Sequence, residues 1–151
     1  MCAETACLAL RLEGPLQSWG TASQYNRRLT DVLPSRSAVA GMLCAALGLD
    51  RGSSEEQAFL KNFSAVRMLA VAVPRSRAGQ PLPVRRLEDY HTVQDTATAD
   101  GKIKKCHITR RQYLLGAAFL VFLDGSKTLL EQAAAAVQNP VWGVWLGRKT
   151  C

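Results

Sequence analysis

The sequence predicts one α+β domain in which two helices cover one face of an antiparallel sheet. Three observations carry this reading. Apolar residues alternate or cluster in short runs at 5–12, 64–73 and 112–123; one stretch between them repeats its apolar positions at helical spacing; and residues 75–111 turn polar and basic around Asp100-Gly101. The chain of 151 residues is 48% apolar, enough for one core and short for two.

Taken in order, "TACLALRL" (5–12) alternates from Cys7 onward as a half-buried strand does, and Gly14-Pro15 closes it. "GPLQSWG" (14–20) is then a strand-exit loop, and residues 21–33 are polar and carry Tyr25, Arg27 and Arg28. "PSRSAVAGMLCAALG" opens on Pro34 with Ser35 as N-cap and stops at Gly48. Val39, Met42, Leu43, Ala46 and Leu47 make one apolar stripe along this helix. A shorter polar helix is expected at 54–62 and a second strand at 64–73, closed by Pro74. Asp100-Gly101 between two polar runs predicts a hairpin over 75–111, in which Arg75, Arg77, Arg85, Arg86, Lys102, Lys104, Lys105, Arg110 and Arg111 outnumber Glu88, Asp89, Asp95 and Asp100. "QYLLGAAFLVFL" (112–123) reads as one long apolar strand, Asp124-Gly125-Ser126 leads into a helix through about Val137, and "VWGVWLGRK" supplies a last strand. The order is β-α-β, basic hairpin, β-α-β, which is the split-βαβ, ferredoxin-like arrangement; another α+β meander is the alternative.

Charge narrows the partners. Nineteen Lys and Arg against twelve Asp and Glu leave +7, a field that draws polyanions, whether nucleic acid, a membrane surface or an acidic protein. No apolar run approaches the ~20 residues of a bilayer span. "MCAETACLAL" has no basic segment before its apolar run and does not read as a secretory signal, so cytoplasmic location is expected. Cys2, Cys7, Cys44, Cys106 and Cys151 form no CxxC, and only His91 and His107 offer imidazole, so reduced thiols and no metal or cofactor are expected.

Catalytic motifs are absent: no GxSxG, Walker A loop, HExxH or strand-borne GxGxxG. Tyr90, His91, Lys104, Lys105 and His107, on the two arms of the hairpin, are the residue types that metal-free RNA cleavage needs, and equally those that hold RNA; the binding reading is preferred. Ser35-Arg36-Ser37 at a helix start suits an anion, with ordinary capping as the alternative. Trp142 and Trp145 read as core or partner contacts. Trp19, beside Gln17 and Ser18 in a loop, reads as a base-stacking platform, with core packing as the competing role.

"GPLQSWG", the "PSRSAVAGMLCAALG" helix, "LEDYHTVQD", "RRQYLLGAAFLVFL" and "WLGRK", in that order from about residue 8 onward, resemble the CasD family, the fifth-numbered CRISPR-associated protein family, in its type I-E Cascade form. The resemblance implies an RRM-like (RAMP) fold with residues 75–111 as a thumb. It implies a non-catalytic subunit that grips the 5′ handle of CRISPR RNA, caps the CasC backbone filament, adjoins the large subunit CasA and meets target DNA only through the complex, with no membrane. The expected RNA contacts are Gln17, Trp19, Gly20, Tyr25, Arg27, Arg28, Ser35, Arg36, Ser37, Tyr90, His91, Lys104, Lys105, His107, Arg110, Arg111, Arg148 and Lys149. A related branch cuts precursor RNA without metal, which makes a metal-free endoribonuclease the alternative; a basic protein–protein adaptor is a third. The family continues beyond the LGRK-type motif, and features of that tail are not carried over.

Overall fold

The computed structural model describes residues 4–21 and 23–151; Cys2 lies outside the described residues. The first strand, β1 (Thr5–Glu13), buries Leu10 and Leu12, half-buries Ala6 and Leu8, and exposes Thr5, Cys7, Ala9, Arg11 and Glu13, the alternation its sequence predicts. After the Gly14-Pro15 break come three two-residue strands, β2 (Leu16–Gln17), β3 (Ser23–Gln24) and β4 (Arg27–Arg28).

Helix α1 (Arg36–Leu47) has the expected caps. The Ser35 hydroxyl accepts from the Ala38 N–H, and Gly48 sits at φ +70°, where a left-handed residue lets its N–H return to the last carbonyls. Val39, Met42, Leu43 and Ala46 are buried. Helix α2 (Ser54–Phe63) is capped by Ser53 and buries only Phe59 and Phe63, whose rings stack at 5.8 Å.

β5 (Arg67–Ala72) follows, then a small hairpin of β6 (Arg75–Arg77) and β7 (Gln80–Leu82), then the long pair β8 (Arg85–Ala97) and β9 (Ile103–Leu115). The chain continues through β10 (Ala118–Ser126) into α3 (Lys127–Gln138). The molecule is mixed α and β with mostly antiparallel pairing. β10 lies between β1 and β5, antiparallel to both, and α3 packs on β1, β10 and α1. Leu10, Leu12, Trp19, Val39, Leu43, Phe119, Val121, Leu123 and Leu130 fill the core between sheet and helices. In the second sheet β9 is central: β8 runs along one edge, while β2 and β4 share the other.

Four expectations are corrected. Residues 112–123 are two strands, because Gly116 at φ +67° turns the chain and residues 112–115 complete β9. Residues 75–111 hold two hairpins, since 75–82 close on themselves and the long ribbon starts at Arg85 and ends at Leu115. Asp124-Gly125-Ser126 is the end of a strand, paired to β1, and the helix begins one residue later. Finally, "VWGVWLGRK" forms no strand. Its first amides turn to helix α1 instead: Val141 N–H donates to the Ala46 carbonyl at 2.9 Å and Trp142 N–H to that of Ala45 at 3.2 Å. The Ala46 carbonyl is one that a helix C-terminus leaves without an intrahelical partner, and the Ala45 carbonyl is shared with the Gly48 N–H; the first sheet is left with three strands.

Candidate nucleic-acid interface

The GPLQSWG segment is structural. Gln17, Ser18 and Trp19 are 0%, 2% and 0% exposed. Gln17 Nε2 donates to the Ala117 carbonyl at 2.8 Å, Ser18 N–H to the Leu146 carbonyl at 2.9 Å, and Trp19 N–H to Thr30 Oγ1 at 2.8 Å. The indole meets Phe119 edge-on at 6.3 Å. A glycine is required on the other side of this contact: a Cβ at Gly147 would lie 1.7 Å from the Ser18 carbonyl oxygen. Trp19 is therefore a core residue and has no face to offer a base, and Gln17 spends its amide N–H groups on the backbone. Gly20, an expected RNA contact, is exposed with open space around its Cβ position and no positive φ, so the backbone there does not require glycine.

The helix-start site is also reassigned. Ser35 caps α1 and meets Ser37 through a 3.3 Å hydroxyl contact. Arg36 turns away to α2: its Nη2 donates to the carbonyls of Phe63 at 2.6 Å, Ser64 at 2.9 Å and Val66 at 2.5 Å, and its guanidinium lies 5.2 Å from the Phe63 ring centre. A cation at a helix C-terminus complements the dipole. Capping accounts for this whole cluster.

The hairpin gathers most of the remaining residues. Its turn forms where Asp100-Gly101 predicts it, with Gly101 at φ +80° and Thr98 N–H bonded to the Lys102 carbonyl. Asp95, at φ +51°, interrupts the β8–β9 pairing between Gln94–Cys106 and Thr96–Lys104 without shifting the register. Because side chains alternate, the register divides the ribbon: Glu88, Tyr90, Ile108, Arg110 and Lys104 fall on one face, and Asp89, His91, His107, Lys105 and Arg111 on the other. The five residues weighed for RNA cleavage are thus split between two faces. His91 Nδ1 lies 3.5 Å from an Asp89 oxygen, and His107 is half-buried on the same side.

At the base of the ribbon β4 runs parallel to β9, pairing Arg27 with Arg110 and Arg28 with Arg111. The contact is fixed by Arg110 N–H donating to the Asn26 carbonyl at 2.7 Å. Tyr25, next to it, is 90% exposed and held at φ +48°. Arg148 reaches the same base from the far end of the chain. Its guanidinium stacks 4.8 Å from the Tyr113 ring centre and donates to the carbonyls of Gln112 and Arg28, both at 3.0 Å, while Lys149 is exposed. Arg148 thus positions β4 on β9, a role its sequence position does not reveal. Sequence reasoning also missed Asn26 and Thr30, and it counted Arg75 only among the basic residues of the hairpin. Arg75 Nη1 donates to the Gly116 carbonyl at 3.1 Å and its Nε lies 3.3 Å from Glu13, joining the two sheets where the chain turns. The Arg11 hydrogen bond and the charges of Arg11 and Arg75 hold the Glu13 carboxyl below its usual range. No local signal marks these residues, because each acts across a long-range pairing.

Among the described residues no cluster of three His, Cys, Asp or Glu side chains is placed to hold a metal ion. No described helix is long and apolar enough to cross a membrane.

The profile of the family described as CRISPR-associated protein (Cas_Cas5) matches residues 7–151. The CRISPR system Cascade subunit CasD of Escherichia coli (strain K12) is 35% identical over 152 residues, covering 95% of this chain and 66% of the relative. Among solved structures, a chain of a CRISPR RNA-guided surveillance complex superposes with a TM-score of 0.79 at 32% identity, covering 96% of this chain and 58% of its own length. A second, described as the crystal structure of a Cas protein, gives 0.61 at 32% identity with the same coverage. The chain therefore spans about two-thirds or less of the proteins it matches.

Proposed function

The chain belongs to the CRISPR-associated protein family (Cas_Cas5), and from that premise we propose that it is a non-catalytic RNA-binding subunit of a type I Cascade complex. It holds the 5′ handle of CRISPR RNA, caps the CasC filament, adjoins CasA and meets target DNA through the assembly, in the cytoplasm. On this reading the sheet β1-β10-β5 with α1 and α3 is a ferredoxin-like palm and the β8–β9 ribbon is the thumb.

The observation that carries the proposal is the parallel pairing of β4 on β9, which sets Arg27 beside Arg110 and Arg28 beside Arg111 at the root of a ribbon bearing Lys104 and Lys105. Side chains alternate along the ribbon, so Arg27 and Arg110 share one face of its root and Arg28 and Arg111 the other, and each pair offers two positive charges to the phosphates of a single strand following the ribbon. The interface retained from the sequence reading is Tyr25, Arg27, Arg28, Tyr90, His91, Lys104, Lys105, His107, Arg110, Arg111 and Lys149.

The test is incubation of the purified chain with single-stranded RNA of a CRISPR repeat in EDTA. Binding without cleavage is expected. A discrete cut, lost in His91→Ala or His107→Ala, would replace this reading with the endoribonuclease. Retention of protein partners after nuclease treatment, with no RNA affinity, would replace it with the adaptor.

A further inference from the structure

We propose that the cleft between the 25–28 turn and the ribbon is a single-nucleotide pocket, in which one unstacked RNA base packs on Tyr90, Asn26 reads its edge, and Arg27 and Arg110 hold its phosphates. The pocket rests on the RNA-binding reading above and adds to it a place where sequence is read.

The cleft encloses about 320 Å³ and is lined by Asn26, Arg27, Tyr90, Ile108 and Arg110. Its floor is one face of the ribbon: Tyr90 pairs with Arg110 across β8 and β9, and Ile108 is two residues along on the same face. Its wall is the turn, tied to the floor by the 2.7 Å bond from Arg110 N–H to the Asn26 carbonyl and by the Arg27–Arg110 pairing. The site is therefore built before any ligand arrives. Tyr90 is 61% exposed although it lies in the middle of a strand, so its ring is available to a planar partner. The charge is unbalanced. Glu88, 3.6 Å from Arg110, is the one carboxylate within ion-pair distance of either arginine among the described residues.

A free phosphate would need the arginines alone. An exposed aromatic ring, an aliphatic neighbour and a side-chain amide beside two guanidinium groups match the parts of a nucleotide: ring face, base edge and phosphate. An amide has both a donor and an acceptor, so Asn26 discriminates among base edges where the arginines do not.

The test uses single-stranded repeat RNA with 2-aminopurine placed at each position in turn, read by fluorescence on binding. One position is expected to be quenched. Tyr90→Ala should abolish that quench and weaken binding about tenfold, the order of one lost base–aromatic stack, while Tyr90→Phe preserves both. Asn26→Ala should narrow the spread of affinities among the four bases at the quenched position, and Arg27→Ala should weaken all four alike. RNA binding with no quenched position, or a quench that survives Tyr90→Ala, would overturn the pocket and leave the RNA-binding reading standing. No RNA binding at all would overturn both.

Discussion

At the scale of single residues, burial separates architecture from recognition. Trp19 is fully enclosed against Phe119 and bonded through its backbone to Thr30, so Trp19→Ala should cost about 3–5 kcal/mol, the range for a buried aromatic cut to alanine, as read by chemical denaturation. RNA affinity per folded molecule should stay unchanged. A small stability loss with weakened RNA binding would restore the stacking role. Gly147 is the converse case, a residue required for having no side chain: at φ +105° and against the Ser18 carbonyl, Gly147→Ala should cost about 2 kcal/mol or more in the same measurement. Arg36 belongs with these two. Its three carbonyl contacts predict that Arg36→Glu lowers the melting temperature, by the equivalent of about 1–3 kcal/mol for charge-assisted bonds, and leaves RNA binding intact. The cysteines divide in the same way. Burial, with Glu56 adding a smaller push, raises the Cys44 thiol above its ordinary range, so it is protonated at neutral pH and its contribution to stability is lost as pH climbs from the ordinary thiol value through the raised one. Alkylation near pH 8 should label the exposed Cys7 and Cys106 well before Cys44.

At the scale of elements, what the sequence reveals is what local chemistry decides. Helix α1 is legible from Ser35 to Gly48 because its caps and its apolar stripe are all contained in one segment. The Asp100-Gly101 turn is legible for the same reason. "QYLLGAAFLVFL" misleads because its hydrophobicity is continuous while its partners change: Leu114 and Leu115 pair with β8 and β2, and from Ala118 the chain pairs with β1 and β5. "VWGVWLGRK" has strand composition, yet its first two amides are taken by the end of α1, a competition visible only once the helix is in place. The proposed interface is half legible by this logic. Its basic residues stand out by composition, but the meeting of β4 with β9 joins residues far apart in sequence, and Asn26 and Arg148 acquire their roles only there. The ribbon itself makes a separable prediction. Replacing Lys104 and Lys105 together by alanine should leave thermal stability nearly unchanged, since both are exposed, and should weaken RNA binding most at low salt.

At the scale of the whole molecule, the net charge of +7 is organised rather than spread. On the open face of the first sheet and its rim, charges are paired within the chain: Arg11 with Glu13, Arg75 with Glu13, Arg67 with Asp124, and Lys127 with Glu4. The second sheet holds the excess, at Arg27, Arg28, Arg110 and Arg111 and along the ribbon. One body is thus a neutral packed scaffold and the other presents a polycation. The measurement that tests this most directly is the affinity for single-stranded repeat RNA as a function of salt, for the unaltered chain and for Arg27→Ala/Arg110→Ala. The logarithm of affinity should fall linearly with the logarithm of salt. The double variant should lower the slope by about 1.4, from roughly 0.7 per phosphate contact on a single strand, with no change in melting temperature. An identical slope in the two proteins would contradict the assignment of RNA to the β4–β9 junction.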